Sequence, residues 1–264
     1  MELRFLGRPR VAVAELHGAI GGPLKSRTLA PLLKALREDK QIKALVLDID
    51  SPGGSASESD YLYEAIRAVG ARKPVVAYIR SVGASGGYFL ACAAERIVAQ
   101  RSAIVGSIGV ITIRPQIVEL MQKVGVEVDV LATGPYKGMG LPFKKETPEE
   151  RQKNEALINA FFDRFVDVVA AGRRVPRERA LAWATGEVFW ASQARDQGLV
   201  DELGTLERAI AVAAGLGRVP EKNAVTVKPK LPLGQRLLQQ ITSPAGAALR
   251  AELDRLLAPR IEYR

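Results

Sequence analysis

The sequence predicts an α/β fold organised around a mainly parallel sheet. Three observations carry that prediction. Strand-like and helix-like segments alternate through the first half of the 264-residue chain, as in βαβ units joined by right-handed crossovers. The segment Ile42–Ile49 is a run rich in Val, Ile and Leu, the pattern of a strand buried on both faces. The length suffices for one large domain with a sizeable core, or for two small ones. Its composition, 47% hydrophobic and 25% charged, is ordinary globular usage and argues against disorder.

Taken in order, Val11–Leu16 reads as the first strand and Leu29–Arg37 as the first helix. After the strand Ile42–Ile49, Ser57–Val69 is helical, with Leu62, Ile66 and Val69 on one face. Pro74–Ile79 is the next strand and Gly87–Ala94 the next helix. Arg96–Ala99, Val110–Ile113 and Val126–Leu131 supply further short strands, with a helix at Gln116–Val124 before the last.

The second half is more helical. Thr147-Pro148-Glu149-Glu150 is a helix start: a capping threonine, proline in the first turn, and glutamate three residues after the cap. The helix runs to about Ala171, with Leu157, Phe161, Phe165 and Val168 as its expected buried stripe. Arg177–Thr185, Ser192–Gln197 and Thr205–Ala214 are shorter helices. After Pro220 the texture changes. Residues 1–220 read as one domain and 221–264 as a basic C-terminal arm, packed on that domain or on a neighbouring protomer. The arm offers a short strand at Val225–Val227, a proline-rich extended stretch at Lys228–Leu233, and amphipathic helical pieces at Gly234–Ile241 and Ala247–Leu257.

The net charge is +9, and the arm alone holds eight Lys/Arg against four Asp/Glu. Such a balance suits a solvated basic surface or an anionic partner. No basic run is interleaved with aromatics, so nucleic acid is not an expected partner. The single cysteine, Cys92, excludes an intrachain disulfide and a redox pair. Its apolar setting gives it a packing role. No stretch of ~18 apolar residues marks a transmembrane helix, and Met1–Arg10 lacks the apolar core of a signal peptide. Two locations stay open: cytoplasmic, or membrane-associated through an anchor outside these residues.

Three glycine-bearing loops carry candidate chemistry. Asp50-Ser51-Pro52-Gly53-Gly54-Ser55 follows the strand Ile42–Ile49. It is either a plain strand-to-helix turn, or a backbone nest whose N–H groups could hold an oxyanion. Gly83-Ala84-Ser85-Gly86-Gly87 places Ser85 at a helix N-terminus, where it is either a helix cap or an exposed nucleophile. A serine hydroxyl needs a base. The only histidine, His17, lies 68 residues earlier at a strand end, where a structural role is the more ordinary one. A lysine can serve once burial strips its ammonium of the proton. Lys137, in Gly134-Pro135-Tyr136-Lys137-Gly138-Met139-Gly140, sits among small and apolar residues. Physical reading alone leaves it one lysine among several.

From about Val11 to Gly204 the chain resembles the signal peptide peptidase A (SppA) family, in its short single-repeat form. The resemblance rests on Ser51-Pro52-Gly53-Gly54, Ala84-Ser85-Gly86-Gly87-Tyr88, Gly106-Ser107-Ile108-Gly109-Val110, Gly134-Pro135-Tyr136-Lys137 and Gly198-Leu199-Val200-Asp201-Glu202-Leu203-Gly204. Ser85 and Ser107 are 22 residues apart, and Ser85 and Lys137 are 52 apart. The resemblance implies a Clp/crotonase-type fold of repeated ββα units with a helical C-terminal region. It implies a serine peptidase with Ser85 as nucleophile and Lys137 as general base. Ser107 would orient the lysine amine. The backbone N–H groups of Gly53, with Gly54 as the alternative, and of Gly86 would form the oxyanion hole. It implies no metal or cofactor, a peptide substrate such as a signal-peptide remnant, and a homo-oligomeric ring in which Ser85 of one chain meets Lys137 of the next. Peripheral membrane association would suit the basic arm. The chain departs from the family in lacking the N-terminal anchor and in the Gly-Met-Gly that follows Lys137.

Two other readings share these features. The same fold hosts crotonase-type acyl-coenzyme A enzymes, which hold a thioester enolate on paired N–H groups. Asp50, Glu58 or Asp60 would then supply acid/base chemistry. An inactive scaffold binding peptide or membrane is the third.

Overall fold

A computed structural model describes residues 9–229. The helical pieces expected at Gly234–Ile241 and Ala247–Leu257 lie outside the described residues. Among the described residues, eight strands form one sheet: β1 (Arg10–His17), β2 (Ile42–Ser51), β3 (Val75–Ala84), β4 (Arg96–Ala99), β5 (Ile104–Gly106), β6 (Val188–Trp190), β7 (Glu202–Leu203) and β8 (Ala224–Val227). The path runs β6-β5-β3-β2-β1-β8, and β4 leaves it by pairing with both β3 and β7. Every pairing is parallel except β5 with β6.

The helices are α1 (Ser26–Glu38), α2 (Ala56–Gly70), α3 (Gly86–Ala91), α4 (Val118–Lys123), α5 (Pro148–Arg173), α6 (Arg177–Trp183), α7 (Ala191–Gln197) and α8 (Leu206–Gly217). Alternation along the central strands separates two buried faces. Val13, Val46, Val76 and Val98 pack with Ala209, Ala213 and Ala214 of α8. Leu45, Leu47 and Ile49 of β2 point the other way and are fully buried, on the side that α2 and α3 cover. Small residues on α8 let it lie close to the sheet.

The chain divides into two compact units. One takes the described residues up to Gly109 and from Phe165 onward; the other is Val110–Arg164. The first contains all eight strands. In the second, the strands expected at Val110–Ile113 and Val126–Leu131 do not form. Their alternation is real, but a strand needs a partner ladder, and the described residues of this unit offer none. Val126, Val128 and Leu131 are exposed, Leu131 at 95%.

Helix α5 contributes its first part to the second unit and its last part to the first. Its start is the expected capping box: Thr147 Oγ1 accepts from Glu150 N at 3.2 Å, and Glu150 Oε2 accepts from Thr147 N at 3.1 Å. The expected stripe is half correct. Phe165 and Val168 are buried, whereas Leu157 and Phe161 are exposed, because those turns belong to the unit that buries little. Strands β5, β6 and β7 escaped the sequence reading; at two or three residues each they are made by their neighbours rather than by a local pattern. Val225–Val227 does form a strand, β8, beside β1.

Candidate functional site

The carboxyl ends of β2, β3 and β5 bring Gly53, Ser85, Gly86 and Ser107 together. Strand β3 runs directly through Ser85 into α3, a sharp strand-to-helix turn. Ser85 has φ 50° and ψ −122°, and its side chain makes no capping bond to the helix that it opens. A side chain in this region costs about 1–3 kcal/mol and persists only where surrounding structure enforces it. Here the enforcement is visible. Ser85 N–H donates to Gly106 O at 2.8 Å, continuing the register that pairs Ala84 with Gly106. The hydroxyl is half-buried and held at a tight elbow.

Ser107 occupies the matching place one strand over. It follows Gly106 (φ 109°) and itself has φ 50°. Its N–H donates to Glu187 O at 2.7 Å. Ser85 and Ser107 thus emerge from paired residues on adjacent parallel strands, about 4.8 Å apart, both in strained backbone.

The glycine turn after β2 closes over this pair. Gly53 has φ 100°, and a Cβ there would lie 2.7 Å from Gly86 N and 2.8 Å from Ser85 Cβ. Only glycine permits so close an approach of two backbones. Gly53 O accepts from Ile20 N at 2.8 Å, and Ile20 O accepts from Ser55 N at 2.9 Å. That parallel bridge uses the Ile20 side of the turn, so the N–H and C=O of Gly54 point to the opposite, open edge. Ile20 is a contributor that sequence reading missed. The signal was present in Gly18-Ala19-Ile20-Gly21-Gly22-Pro23, a turn-rich stretch after β1.

Beneath the elbow the Gly198–Gly204 motif braces α3. Tyr88 Oη donates to Leu199 O at 2.8 Å. Arg173 donates to both Asp201 oxygens, at 3.1 and 2.7 Å, and to Gly198 O at 2.9 Å. Ile97 N–H donates to Asp201 at 2.7 Å. Burial alone would raise the Asp201 carboxyl. The Arg173 bonds and charge, with the Ile97 N–H, outweigh it and hold the group below its usual range. Burial pushes the Tyr88 phenol well up and the neighbouring Cys92 thiol up to about 12, so Cys92 is a packed, unreactive thiol.

The other titratable candidates have structural partners. His17 Nε2 lies 3.4 Å from Asp48 Oδ2, a buried carboxylate that Arg80 also holds with two bonds. Asp50 Oδ1 accepts from Val82 N at 3.1 Å. Glu58 caps the start of α1, accepting from Ser26 N at 2.6 Å and Ser26 Oγ at 3.1 Å.

Lys137 belongs to the other unit. It is exposed on the Gly134–Gly140 loop, its N–H donating to Gly134 O at 3.2 Å. Beside it, Tyr136 carries the Lys153 ammonium 4.4 Å above its ring, which ties the loop to α5. Among the described residues, no helix is long and apolar enough to cross a membrane.

Comparison with known proteins bears on the family and the fold. The family model of peptidase family S49 matches residues 67–219, and that of Clp protease matches residues 16–116. A protein of Synechocystis sp. named as a protease, slr0021, is 40% identical over 235 residues, covering 87% of this chain and 83% of its own length. The chloroplastic serine protease SPPA of Arabidopsis thaliana is 34% identical over 84% of this chain, but this chain spans only 34% of that protein. Among solved structures, a mutant ClpP1 from Listeria monocytogenes superposes with a TM-score of 0.52 over 75% of this chain and 93% of its own, at 15% identity. A mutant of the 1510-N membrane-bound stomatin-specific protease gives 0.53 over 85% of this chain and all of its own, also at 15% identity. The fold is of the Clp/crotonase type.

Proposed function

The chain belongs to peptidase family S49 and is a serine protease of the SppA kind; on that premise we propose that Ser85 is its nucleophile and Lys137 its general base. The observation that carries the proposal is the Ser85 elbow: φ 50°, no capping bond, and the Gly53 backbone pressed against Ser85 and Gly86. Strain of this kind exposes a hydroxyl where a relaxed helix cap would tie it down.

In the proposed reaction Ser85 Oγ attacks the scissile carbonyl while its proton passes to Lys137 Nζ. The oxyanion is held by the N–H groups of Gly53 and Gly86. Lys137 returns the proton to the leaving amine, and water, deprotonated in the same way, hydrolyses the acyl-enzyme. Ser107 orients the lysine amine. The open edge of Gly54 suits an extended peptide that pairs as a strand, and signal-peptide remnants are the proposed substrates.

Burial is the physical means of stripping a lysine of its proton, and Lys137 is exposed in the single chain. The proposal therefore includes a neighbour that covers it, in a homo-oligomeric ring where Ser85 and Lys137 of adjacent chains form one site. The exposed Ile111, Ile113, Leu120, Val128 and Leu131 of the Lys137 unit support such cover. Peripheral docking to anionic membrane through the basic residues after Pro220 is part of the same proposal.

An active-site serine phosphonate tests it. Labelling is expected on Ser85, absent in Ser85→Ala and strongly slowed in Lys137→Ala. Labelling that survives Ser85→Ala refutes the nucleophile, and unchanged labelling in Lys137→Ala refutes the base.

A further inference from the structure

The Gly53 N–H already has a partner. Ser51 is wholly buried at the end of β2, opposite Gly83 where the β2–β3 register shifts. Its Oγ accepts from Gly53 N at 3.2 Å. Ser51 is also wedged under α3, since a Cβ on Gly87 would lie 2.5 Å from Ser51 O and 3.2 Å from Ser51 Cβ. The hydroxyl cannot swing into solvent, and the peptide it holds lies against the nucleophile.

We infer that Ser51 is a positioning residue that withholds the Gly53 N–H from bound substrate and releases it to the oxyanion. The inference rests on the reading that Gly53 is an oxyanion donor. A hydroxyl and a peptide carbonyl are both neutral acceptors, so exchanging one for the other gains little in the bound ground state. An oxyanion accepts a shorter bond of roughly twice the strength. The exchange is therefore favourable only as negative charge develops. No covalent bond changes in this step: the N–H turns from Ser51 Oγ to the substrate oxygen. Breaking the Ser51 bond offsets what breaking a bond to the substrate carbonyl would have cost, so the hold weakens ground-state binding and leaves kcat nearly unchanged.

The test is steady-state kinetics on a fluorogenic peptide with the assembled protein and its Ser51→Ala and Ser51→Cys variants. Removing the hydroxyl frees the N–H for the ground state. In Ser51→Ala, KM should fall about 3- to 10-fold, the worth of one neutral hydrogen bond. kcat should stay within about threefold, because in wild type and variant alike the N–H leaves one neutral acceptor for the oxyanion, and kcat/KM should rise by about the factor by which KM falls. Ser51→Cys, of similar size but a weak acceptor, should lie between. It also carries the test if the alanine variant does not fold. A fall of kcat/KM beyond tenfold with KM unchanged or raised would overturn the inference, because Ser51 would then merely hold the turn in shape. So would unaltered kcat and KM. Phosphonate labelling of wild-type Ser85 separates the two levels. Without it the underlying reading fails; with it, and no fall of KM, only the role of Ser51 fails.

Discussion

In the unit that carries Ser85, Leu45, Leu47, Ile49 and Ile66 are wholly buried; in the unit that carries Lys137, Ile111, Leu120, Val128 and Leu131 are exposed. The two have similar appetites for burial and very different means of meeting it. The first closes its apolar strands into a sheet covered by helices. The second has strand-like alternation with no strand to pair with. Catalytic precision needs rigid support, and the first unit supplies it to Ser85 from its own chain. The second lacks that support among the described residues, which is why its cover is sought in an assembly.

The largest effect that could break this comparison is complementation. Ser85→Ala and Lys137→Ala chains should each be inactive alone. Co-assembled in equal amounts, they should recover about a quarter of wild-type turnover, because random neighbours in a ring restore that share of shared sites. No recovery in mixed rings would mean that each chain completes its own dyad.

Stability should separate the units next. Ile66→Ala is expected to cost about 2–5 kcal/mol in urea unfolding, as a fully buried truncation does. Leu131→Ala should change single-chain stability by less than about 0.5 kcal/mol while weakening assembly in sedimentation. Equal destabilisation by both would remove the contrast.

The smallest effect concerns the ion pair that braces the Ser85 unit. The Asp201 carboxyl is lowered in the fold, so its contribution is fully present above the unfolded value of about 3.9. It is lost as pH falls through the lower folded value. Asp201→Asn should reduce stability at pH 7 by about 1–3 kcal/mol, below the cost of breaking a fully buried pair, since Asp201 is 21% exposed. It should also flatten the acid limb of denaturation midpoints measured from pH 7 to pH 3. An acid limb as steep as that of the wild type would assign it to other carboxylates.

The sequence was most informative where a local pattern and the tertiary fold agree. The apolar run at Ile42–Ile49 and the Thr147–Glu150 capping box became β2 and the start of α5 because each carries its own reason to form. Val126–Leu131 misled because alternation states a preference and not a partner. The glycines around Ser85 marked a turn, but the φ of Ser85 and Ser107 is imposed by β5 and Glu187, which no spacing discloses. The Ile20 bridge and the hold of Ser51 on Gly53 were likewise hidden, being contacts between loops.

Strand β8 has a consequence in time. It pairs with β1, matching Val11 to Ala224 through Ala14 to Val227, so the two ends of the described chain must meet before the sheet is complete. Until Val227 has been synthesised, a nascent chain holds β1 with one open ladder edge, a template for pairing with another chain. Such distant pairing makes folding slow. The last of the described strands to be made is thus the one that seals the first, and that edge stays open to misassembly until it arrives.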